Sequence, residues 1–381
     1  SGRLENRVDG ERRALLPWPF AHLIDPREMR VVESRRRFDD GYMIRRSGTP
    51  ESYLRFLPEP WRSVAAGVAA ESTWWTWPSS SGRPCGEVDV HILRASPSAA
   101  PLRVLLLHGG GGHSALVWPL GAILANEGFE VLAPDLPQYG RTRVAGPGRV
   151  RYQDWVDLIS DLVVAETEDD PRPLIVLGAS LGGMLAYEVA SRTGRVAAVV
   201  ATCLLDLAGD PDARRAVART PALGRLTPLM PVLARVGVLA RMRFPIRWVA
   251  PMSAMSRDPD LSQACVDDRL GAGSSVSLGF LADLMTHEVP TPEGYRGPRV
   301  LLVHPAADSW TPPEVSVRFA RRIAARAAAE RMAQAVYYTQ GQAPPAEQAD
   351  AMGSIPLVRA DLDPALAAAL GLKPNAVLAP E

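Results

Sequence analysis

The chain has 381 residues and carries 42 Lys plus Arg against 42 Asp plus Glu, so its formal net charge is zero. This length suffices for one large α/β domain with an insertion or for two domains. The charge balance gives no global field that would gather nucleic acid or an anionic membrane, and no run of about 18 apolar residues predicts a membrane-spanning helix. Cys85, Cys203 and Cys265 are too few and too widely spaced to indicate a disulfide framework or a zinc site, which favours a reducing, cytoplasmic setting.

The N-terminal residues 1–70 are rich in Arg, Pro and aromatic residues and have weak periodicity. We expect an N-terminal extension that packs on the outside of the domain. A helix over 53–70 would be broken at Pro58 and Pro60, because proline removes a backbone donor and collides with the preceding turn.

From residue 72 onwards, predicted strands alternate with predicted helices. This alternation predicts a mostly parallel central sheet with helices on both faces, because right-handed crossovers place the helices there. The predicted strands cover 72–77, 87–94, 103–108, 130–133, 174–178 and 196–203, and the helices cover 115–126, 152–166 and 181 to about 191.

The alternation stops near Asp206, and residues 207–290 are predicted to form an inserted helical cap. The methionines of this cap indicate either an adaptable apolar pocket or simply the core of the cap itself. The sheet resumes at 298–303, followed by a helix over 313–329 and a last strand over 335–339. The core would therefore consist of 71–206 and 291–342, followed by an Ala/Pro-rich, loosely ordered tail over 343–381.

A Gly-x-Ser-x-Gly motif, Gly178-Ala-Ser180-Leu-Gly182, lies between a predicted buried strand and a predicted helix. A nucleophilic serine needs this context, because a sharp strand-to-helix turn exposes its oxygen above the sheet edge. Gly178 and Gly182 leave space where a side chain would collide. The alternative is a glycine-rich turn with an idle serine.

A second glycine-rich loop, His108-Gly-Gly110-Gly-Gly-His113, follows the earlier strand 103–108. Such a loop can offer a backbone N–H group to a developing oxyanion, together with the N–H of Leu181. The loop lacks the lysine of a phosphate-binding P-loop and the spacing of a dinucleotide fingerprint. No cysteine or carboxylate lies beside His108 and His113 in sequence, so we expect no metal there and assign His108 to holding the loop in shape.

These motifs resemble the α/β-hydrolase superfamily, specifically its lipase, esterase and lysophospholipase-like members. The resemblance covers about residues 72 to 325. It rests on the two glycine-rich motifs already described and on two further segments. Those segments are the Ala133-Pro-Asp135 loop up to Gly140 and the run from Leu302 through Asp308 to Pro312. By resemblance, Gly110 and Leu181 supply the oxyanion N–H groups, supported by His108 and Gly109.

The resemblance places the catalytic carboxylate after the late strand, at Asp308, and the family order Ser–Asp–His agrees with this position. Such an acid orients an imidazole and stabilises its charged form. The alternatives are that Asp308 caps the next helix, or that Asp206 is the acid. Asp135 is assigned to shaping its own loop.

The family pattern expects a histidine after the last strand, yet none of the six histidines follows Asp308. Gln342 stands at the expected base position, and an amide cannot act as a general base. Three interpretations stay open: a C-terminal segment that departs from the natural one, a natural pseudoenzyme, or catalysis by another histidine. His287 and His304 are the candidates for that histidine.

The sequence therefore predicts a serine hydrolase of carboxylic esters with an apolar acyl group, impaired as written by the missing base. The alternative is a non-catalytic binding protein on the same fold. The expected partner is a small lipophilic ester. We expect no nucleic acid, no membrane span, no metal and no cofactor, and the oligomeric state stays open.

Overall fold

The computed structural model describes residues 48–78, 83–168, 170–220, 229–305, 308, 310–329 and 335–339. Three predicted features therefore lie outside the described residues: most of the N-terminal extension, the base position Gln342 and the 343–381 tail. Within the described residues, nine strands form one sheet and two more form a separate small sheet. The strands are β1 (Glu71–Thr76), β2 (Val88–Ala95), β3 (Arg103–Leu107), β4 (Glu130–Pro134), β5 (Arg143–Val144), β6 (Leu174–Gly178), β7 (Ala198–Ala201), β8 (Arg243–Pro245), β9 (Ser275–Ser277), β10 (Arg299–Pro305) and β11 (Ala335–Thr339).

The central sheet has the order β1-β2-β4-β3-β6-β7-β10-β11, with β5 paired to β2. Strand β2 pairs antiparallel with β1, β4 and β5. The pairs that follow from β4 to β11 in the sheet order are parallel. This is the mostly parallel sheet that the strand–helix alternation predicts. Three predicted segments have the same bounds in the structure: β6, β11 and the helix Pro313–Ala329.

The helices cover both faces of this sheet, because the side chains of each strand alternate between two apolar cores. Along β3, Leu105 and Leu107 lie in one core, whereas Val104 and Leu106 lie in the other. The helices are α1 (Pro50–Leu54), α2 (Trp61–Ala66), α3 (Ser114–Asn126), α4 (Tyr152–Glu168), α5 (Leu181–Thr193), α6 (Pro211–Val217), α7 (Met230–Ala234), α8 (Gly237–Arg241), α9 (Ile246–Val249), α10 (Pro259–Asp267), α11 (Leu278–Thr286) and α12 (Pro313–Ala329), with short 3₁₀ turns at Pro147–Arg149 and Met252–Ala254.

The described part of the N-terminal extension forms α1 and α2, which pack on α3. The break between them contains Pro58 and Pro60, as predicted. No helix of the described residues has both the length and the apolar character needed to cross a lipid bilayer.

The 207–290 segment is not wholly helical, which corrects the prediction. Its helices are joined by β8 and β9, which pair antiparallel. Each of these strands is only three residues long, so neither gives a readable alternation of polar and apolar residues. β5, with two residues, was missed for the same reason.

The parallel register brings the carboxyl ends of the central strands to one edge of the sheet. Leu107 of β3 lies opposite Gly178 of β6, which lies opposite Ala201 of β7, and Ala201 lies opposite Leu302 of β10. The loops that leave these strands therefore start side by side, at the edge where α/β proteins bind ligands.

Candidate active site

Ser180 occupies a strained turn between β6 and α5. Its φ of 53° and ψ of −122° lie in a region that residues other than glycine rarely adopt. Such strain persists only where the surroundings enforce it, and it concentrates at functional sites. The turn leaves Ser180 half-buried at the carboxyl edge of the sheet, with the N-terminus of α5 beneath it.

Close backbone packing enforces this turn and explains its glycines. A Cβ atom on Gly178 would lie 2.0 Å from the carbonyl oxygen of Gly182. A Cβ on Gly182 would lie 2.7 Å from the carbonyl oxygen of His108, in the neighbouring loop. Backbone atoms can move aside only at a large cost in free energy, so both positions require glycine. The close backbone contact also means that each glycine-rich loop holds the other in position.

The Ser180 N–H group donates a hydrogen bond to Thr202 Oγ1 at 2.9 Å. Thr202 follows β7, the strand next to β6, so this bond ties the turn to the adjacent loop. Thr202 belongs to no recognisable motif in the sequence. The only available signal is its position just after a strand that the register places beside the nucleophile motif.

The loop after β3 brings Gly110 to the same place as Leu181 and Ser180, since all three line one pocket. His108 holds this loop at both ring nitrogens: Nδ1–H donates to the Gly109 carbonyl at 2.8 Å, and Nε2 accepts from the Leu136 N–H at 2.9 Å. Burial lowers the pKa of His108 to about 4, which keeps its ring neutral and matches this hydrogen-bond pattern.

His113, at the other end of the loop, bonds through Nε2 to Asp268 at 2.8 Å, and Tyr53 of α1 donates to the same carboxylate. Asp268 lies 155 residues from His113, so no local sequence pattern connects the two. This cluster ties the N-terminal helix α1 and the 207–290 segment to the glycine-rich loop.

Asp135 fixes the neighbouring loop after β4. Its carboxylate bonds to His91 Nδ1 at 2.8 Å and accepts the N–H groups of Ser114 at 2.6 Å and Arg141 at 2.7 Å. Burial alone would raise the pKa of Asp135, but the His91 bond, the His113 ring and these N–H groups lower it to about 2. Asp135 therefore acts on the shape of this loop.

The pocket beside Ser180 has a volume of about 780 Å³, including space open to solvent. Its lining is almost entirely apolar, and most of it comes from the 207–290 segment. Three of the methionines of that segment line it, whereas Met242 is exposed. Prominent lining residues are Met230, Met252, Phe280, Leu281, Leu284 and Met285.

Asp308 follows β10, at the same sheet edge. Its Oδ1 accepts the N–H groups of Trp310 at 2.8 Å and Thr311 at 3.0 Å, and Oδ2 accepts the Thr311 hydroxyl at 2.8 Å. These bonds organise the loop that leads into α12. Trp310 and Thr311 line the pocket, so Asp308 is hydrogen-bonded to two residues of the pocket wall. Asp206, the alternative acid, accepts the N–H of Gly209 within its own loop.

His304 is buried beside Asp308 but faces a thiol. Its Nδ1–H donates to the Pro305 carbonyl at 3.1 Å, which leaves Nε2 to accept from Cys203 Sγ at 3.6 Å. Burial lowers the pKa of His304 and raises that of Cys203 to about 11, so both groups are neutral near pH 7. Cys203, His304 and Asp308 have ligand-type atoms within 4.8 Å of one another and could hold a metal ion.

His287, the other candidate base, bonds through Nε2 to Glu188 at 2.6 Å. Burial alone would lower its pKa, but the bond to Glu188 and the nearby carboxylates raise it. Among the described residues, no side chain makes a hydrogen bond with Ser180 Oγ, and neither His287 nor His304 lines the pocket.

Residues 104–369 match the model of the alpha/beta hydrolase family, which is more than half of the chain. The chain belongs to the alpha/beta hydrolase family. This confirms the predicted fold, and the family supports an ester hydrolase.

Known proteins similar to this alpha/beta hydrolase include protein phosphatase methylesterases. Human protein phosphatase methylesterase 1 is 34 % identical over 123 residues, which cover 32 % of this chain and 32 % of that protein. The chain thus matches only about a third of the methylesterase length.

Solved structures of the same fold include a soluble variant of monoglyceride lipase from Saccharomyces cerevisiae. It has a TM-score of 0.56 and 16 % identity, over 72 % of this chain and 88 % of that one. The alpha/beta hydrolase GrgF from Penicillium sp. sh18 has a TM-score of 0.52 and 15 % identity, over 72 % and 91 %. At these identities the likeness concerns the fold.

Proposed function

We propose that this protein is a serine hydrolase of carboxylic esters with an apolar acyl group. The observation that carries the proposal is the position of Ser180. It is a half-buried serine held at φ 53° in the wall of an apolar pocket, beside Gly110 and Leu181. An idle serine in a loose glycine turn would not require the backbone contacts that hold Gly178 and Gly182.

In the proposed reaction, Ser180 Oγ attacks the ester carbonyl and its proton passes to a general base. The backbone N–H groups of Gly110 and Leu181 stabilise the oxyanion, helped by the N-terminus of α5. The tetrahedral intermediate expels the alcohol, which takes the proton from the base. Water then attacks the carbonyl carbon of the acyl-enzyme and gives its proton to the base. The base returns this proton to Ser180 Oγ as the carboxylic acid is released.

The lining of the pocket supports the choice of substrate class. An aliphatic acyl chain would contact methionine, leucine and phenylalanine side chains, and methionine adapts its shape to different chains. The methylesterases and the monoglyceride lipase are named for ester substrates, which agrees with this chemistry.

The base is the incomplete part of the proposal. In sequence, Gln342 comes three residues after the end of β11, where the family resemblance expects a histidine. Without a base, the oxyanion donors and binding alone give a residual acceleration of about 10³ over water. We therefore expect slow ester hydrolysis by the chain as written.

A non-catalytic binding protein is the second candidate. It is favoured by one observation, namely that Ser180 Oγ has no hydrogen-bonded imidazole among the described residues. In this case the apolar pocket would hold a lipophilic ligand without turning it over.

The two functions are separated by labelling and by turnover. The protein, with Ser180→Ala as the control, is treated with a fluorophosphonate probe and assayed on p-nitrophenyl esters of rising chain length. A slow reaction that disappears in Ser180→Ala supports the hydrolase. Absence of both labelling and turnover supports the binding protein.

Introducing a histidine at the expected base position is a second test of the same proposal. Gln342→His should raise turnover by at least about 10²-fold, the usual lower range for a positioned base. The gain should vanish when Ser180→Ala is added. If the unmodified protein already turns over at ordinary esterase rates, His287→Gln and His304→Gln identify which ring is the base.

A further inference from the structure

Apolar side chains are exposed in an unusual concentration over residues 229–248. Of the large hydrophobic residues that the described part of the chain exposes, only Trp74 lies elsewhere. Val238 is 75 % exposed and Trp248 is 58 % exposed. The exposed apolar residues of this face, called the 229–248 face below, are Leu229, Val232, Leu233, Val236, Val238, Met242 and Trp248.

Two elements of this face, α7 and α9, have an inner side that lines the pocket. In α7, Met230 lines the pocket, whereas Val232 and Leu233 point to solvent. In α9, Ile246 and Val249 line the pocket, whereas Trp248 between them is exposed. The exposed apolar residues are therefore additional to those that the pocket and the core need.

Positive charge is interleaved with these apolar residues, although the whole chain is neutral. No Asp or Glu occurs in sequence between Asp212 and Asp258. The two flanking carboxylates are engaged elsewhere, since Asp212 pairs with Arg215 and Asp258 accepts N–H groups at the start of α10. The exposed arginines of the 229–248 face are Arg235, Arg241, Arg243 and Arg247.

We propose that the 229–248 face docks on the surface of an anionic lipid bilayer. Exposed aliphatic residues and a tryptophan, interleaved with arginines and free of carboxylates, are the composition of interfacial segments that insert shallowly among lipid headgroups. The apolar residues would enter the headgroup boundary, and the guanidinium groups would bind lipid phosphates.

Charge argues against a second copy of this chain as the occupant. In a two-fold symmetric dimer, each face would meet the same face of its partner. The arginines of the two copies would then approach one another, and neither copy has an Asp or Glu in sequence between Asp212 and Asp258 to neutralise them. An anionic lipid surface neutralises the same arginines.

Docking does not depend on the proposed hydrolase activity, so the test is a binding measurement. The 381-residue chain, in the wild-type and Ser180→Ala forms, is sedimented with vesicles of phosphatidylcholine alone and of phosphatidylcholine with 30 mol % phosphatidylglycerol, over about 0.05 to 0.5 M NaCl. We expect both forms to bind the anionic vesicles, with binding that weakens as salt rises.

A charge-reversed variant and a matched control locate the surface. Each arginine near an anionic surface changes the partition coefficient about five-fold, so Arg235→Glu/Arg241→Glu should lower it at least about 25-fold. The control Arg195→Glu/Arg296→Glu makes the same change of charge at two exposed arginines that precede β7 and β10, at the opposite edge of the sheet. It should bind the anionic vesicles nearly as the wild type does.

The apolar part has its own variant. Leu233→Ser/Trp248→Ser should weaken vesicle binding at low and high salt alike, whereas Trp74→Ser should not. Folding of each variant is checked by circular dichroism. The proposal is overturned by equal binding to neutral and anionic vesicles, by no binding at low salt, or by equal loss in the Arg195/Arg296 control. It is also overturned if the protein forms a dimer that Leu233→Ser/Trp248→Ser dissociates, because a second copy would then cover the face.

Discussion

Replacing Thr202 by valine should loosen the turn that holds Ser180. Valine keeps the shape of threonine but removes the oxygen that accepts the Ser180 N–H at 2.9 Å. A buried N–H group that loses its partner costs about 1–3 kcal/mol. Because Thr202 is only half-buried, water can replace part of the bond, and we expect the lower half of that range.

The loss should also appear at the serine oxygen, because Ser180 stays at φ 53° only while its surroundings hold it there. We expect the rate of fluorophosphonate labelling of Ser180 to fall about 10-fold, in line with the sensitivity of reactions to small displacements. Labelling rates and urea unfolding, followed by circular dichroism, measure the two effects separately.

Thr202→Ser is the matched control, because it keeps the hydroxyl and should keep both properties close to those of the wild type. A valine variant with wild-type stability and wild-type labelling would refute the reasoning. Lower stability with unchanged labelling would mean that Thr202 holds the loop but does not position Ser180.

Three further outcomes follow from the contacts described above. Gly178→Ala should destabilise the protein by about 4 kcal/mol or more in urea unfolding, because its Cβ would lie 2.0 Å from the Gly182 carbonyl oxygen, whereas Gly237→Ala, with open space around it, should change stability by less than about 1 kcal/mol. The pKa of Asp135 falls from 3.8 to about 2 on folding, so its stabilisation of about 2 kcal/mol is complete above pH 4 and lost as pH falls through about 2; acid titration of Asp135→Asn should lack this component. Leu284→Trp should shift the preference among p-nitrophenyl esters toward shorter acyl chains, because the larger ring fills part of the pocket.

Most of the central sheet could be predicted, because its strands are continuous apolar runs bounded by turn residues. Residues 174–178 show this most clearly. By contrast, β8 and β9 are three-residue strands whose pairing depends on chain distant in sequence. Local patterns predict elements whose burial is continuous, and they fail where a few residues pair through tertiary structure.

The same distinction applies to the candidate site. Ser180 and the loop of Gly110 are local motifs, so the sequence alone indicates them. The contact of Cys203 with His304 joins residues 101 positions apart. Only the pairing of β7 with β10 brings them together, and the sequence does not state which strands are neighbours.

Net charge was also a poor guide to the surface of the molecule. A chain with 42 basic and 42 acidic residues has no global field, and that property argued against attraction to an anionic membrane. The carboxylates, however, are absent between Asp212 and Asp258, so positive charge is concentrated around the 229–248 face. Screening limits such interactions to about 8 Å at physiological salt, and within that distance the local arrangement decides the potential.

The sheet register also explains why one missing group limits the proposed chemistry. Thr339 at the end of β11 lies opposite Pro305 at the end of β10, so the chain leaves β11 at the edge that carries Ser180 and Asp308. A histidine soon after this point would start from the same edge as the acid that orients it. The amide of Gln342 can donate and accept hydrogen bonds but has no proton affinity near neutral pH. The turn at Ser180, the loop of Gly110 and the apolar pocket are held by contacts among the described residues. Binding and oxyanion stabilisation should therefore persist while proton transfer limits the rate.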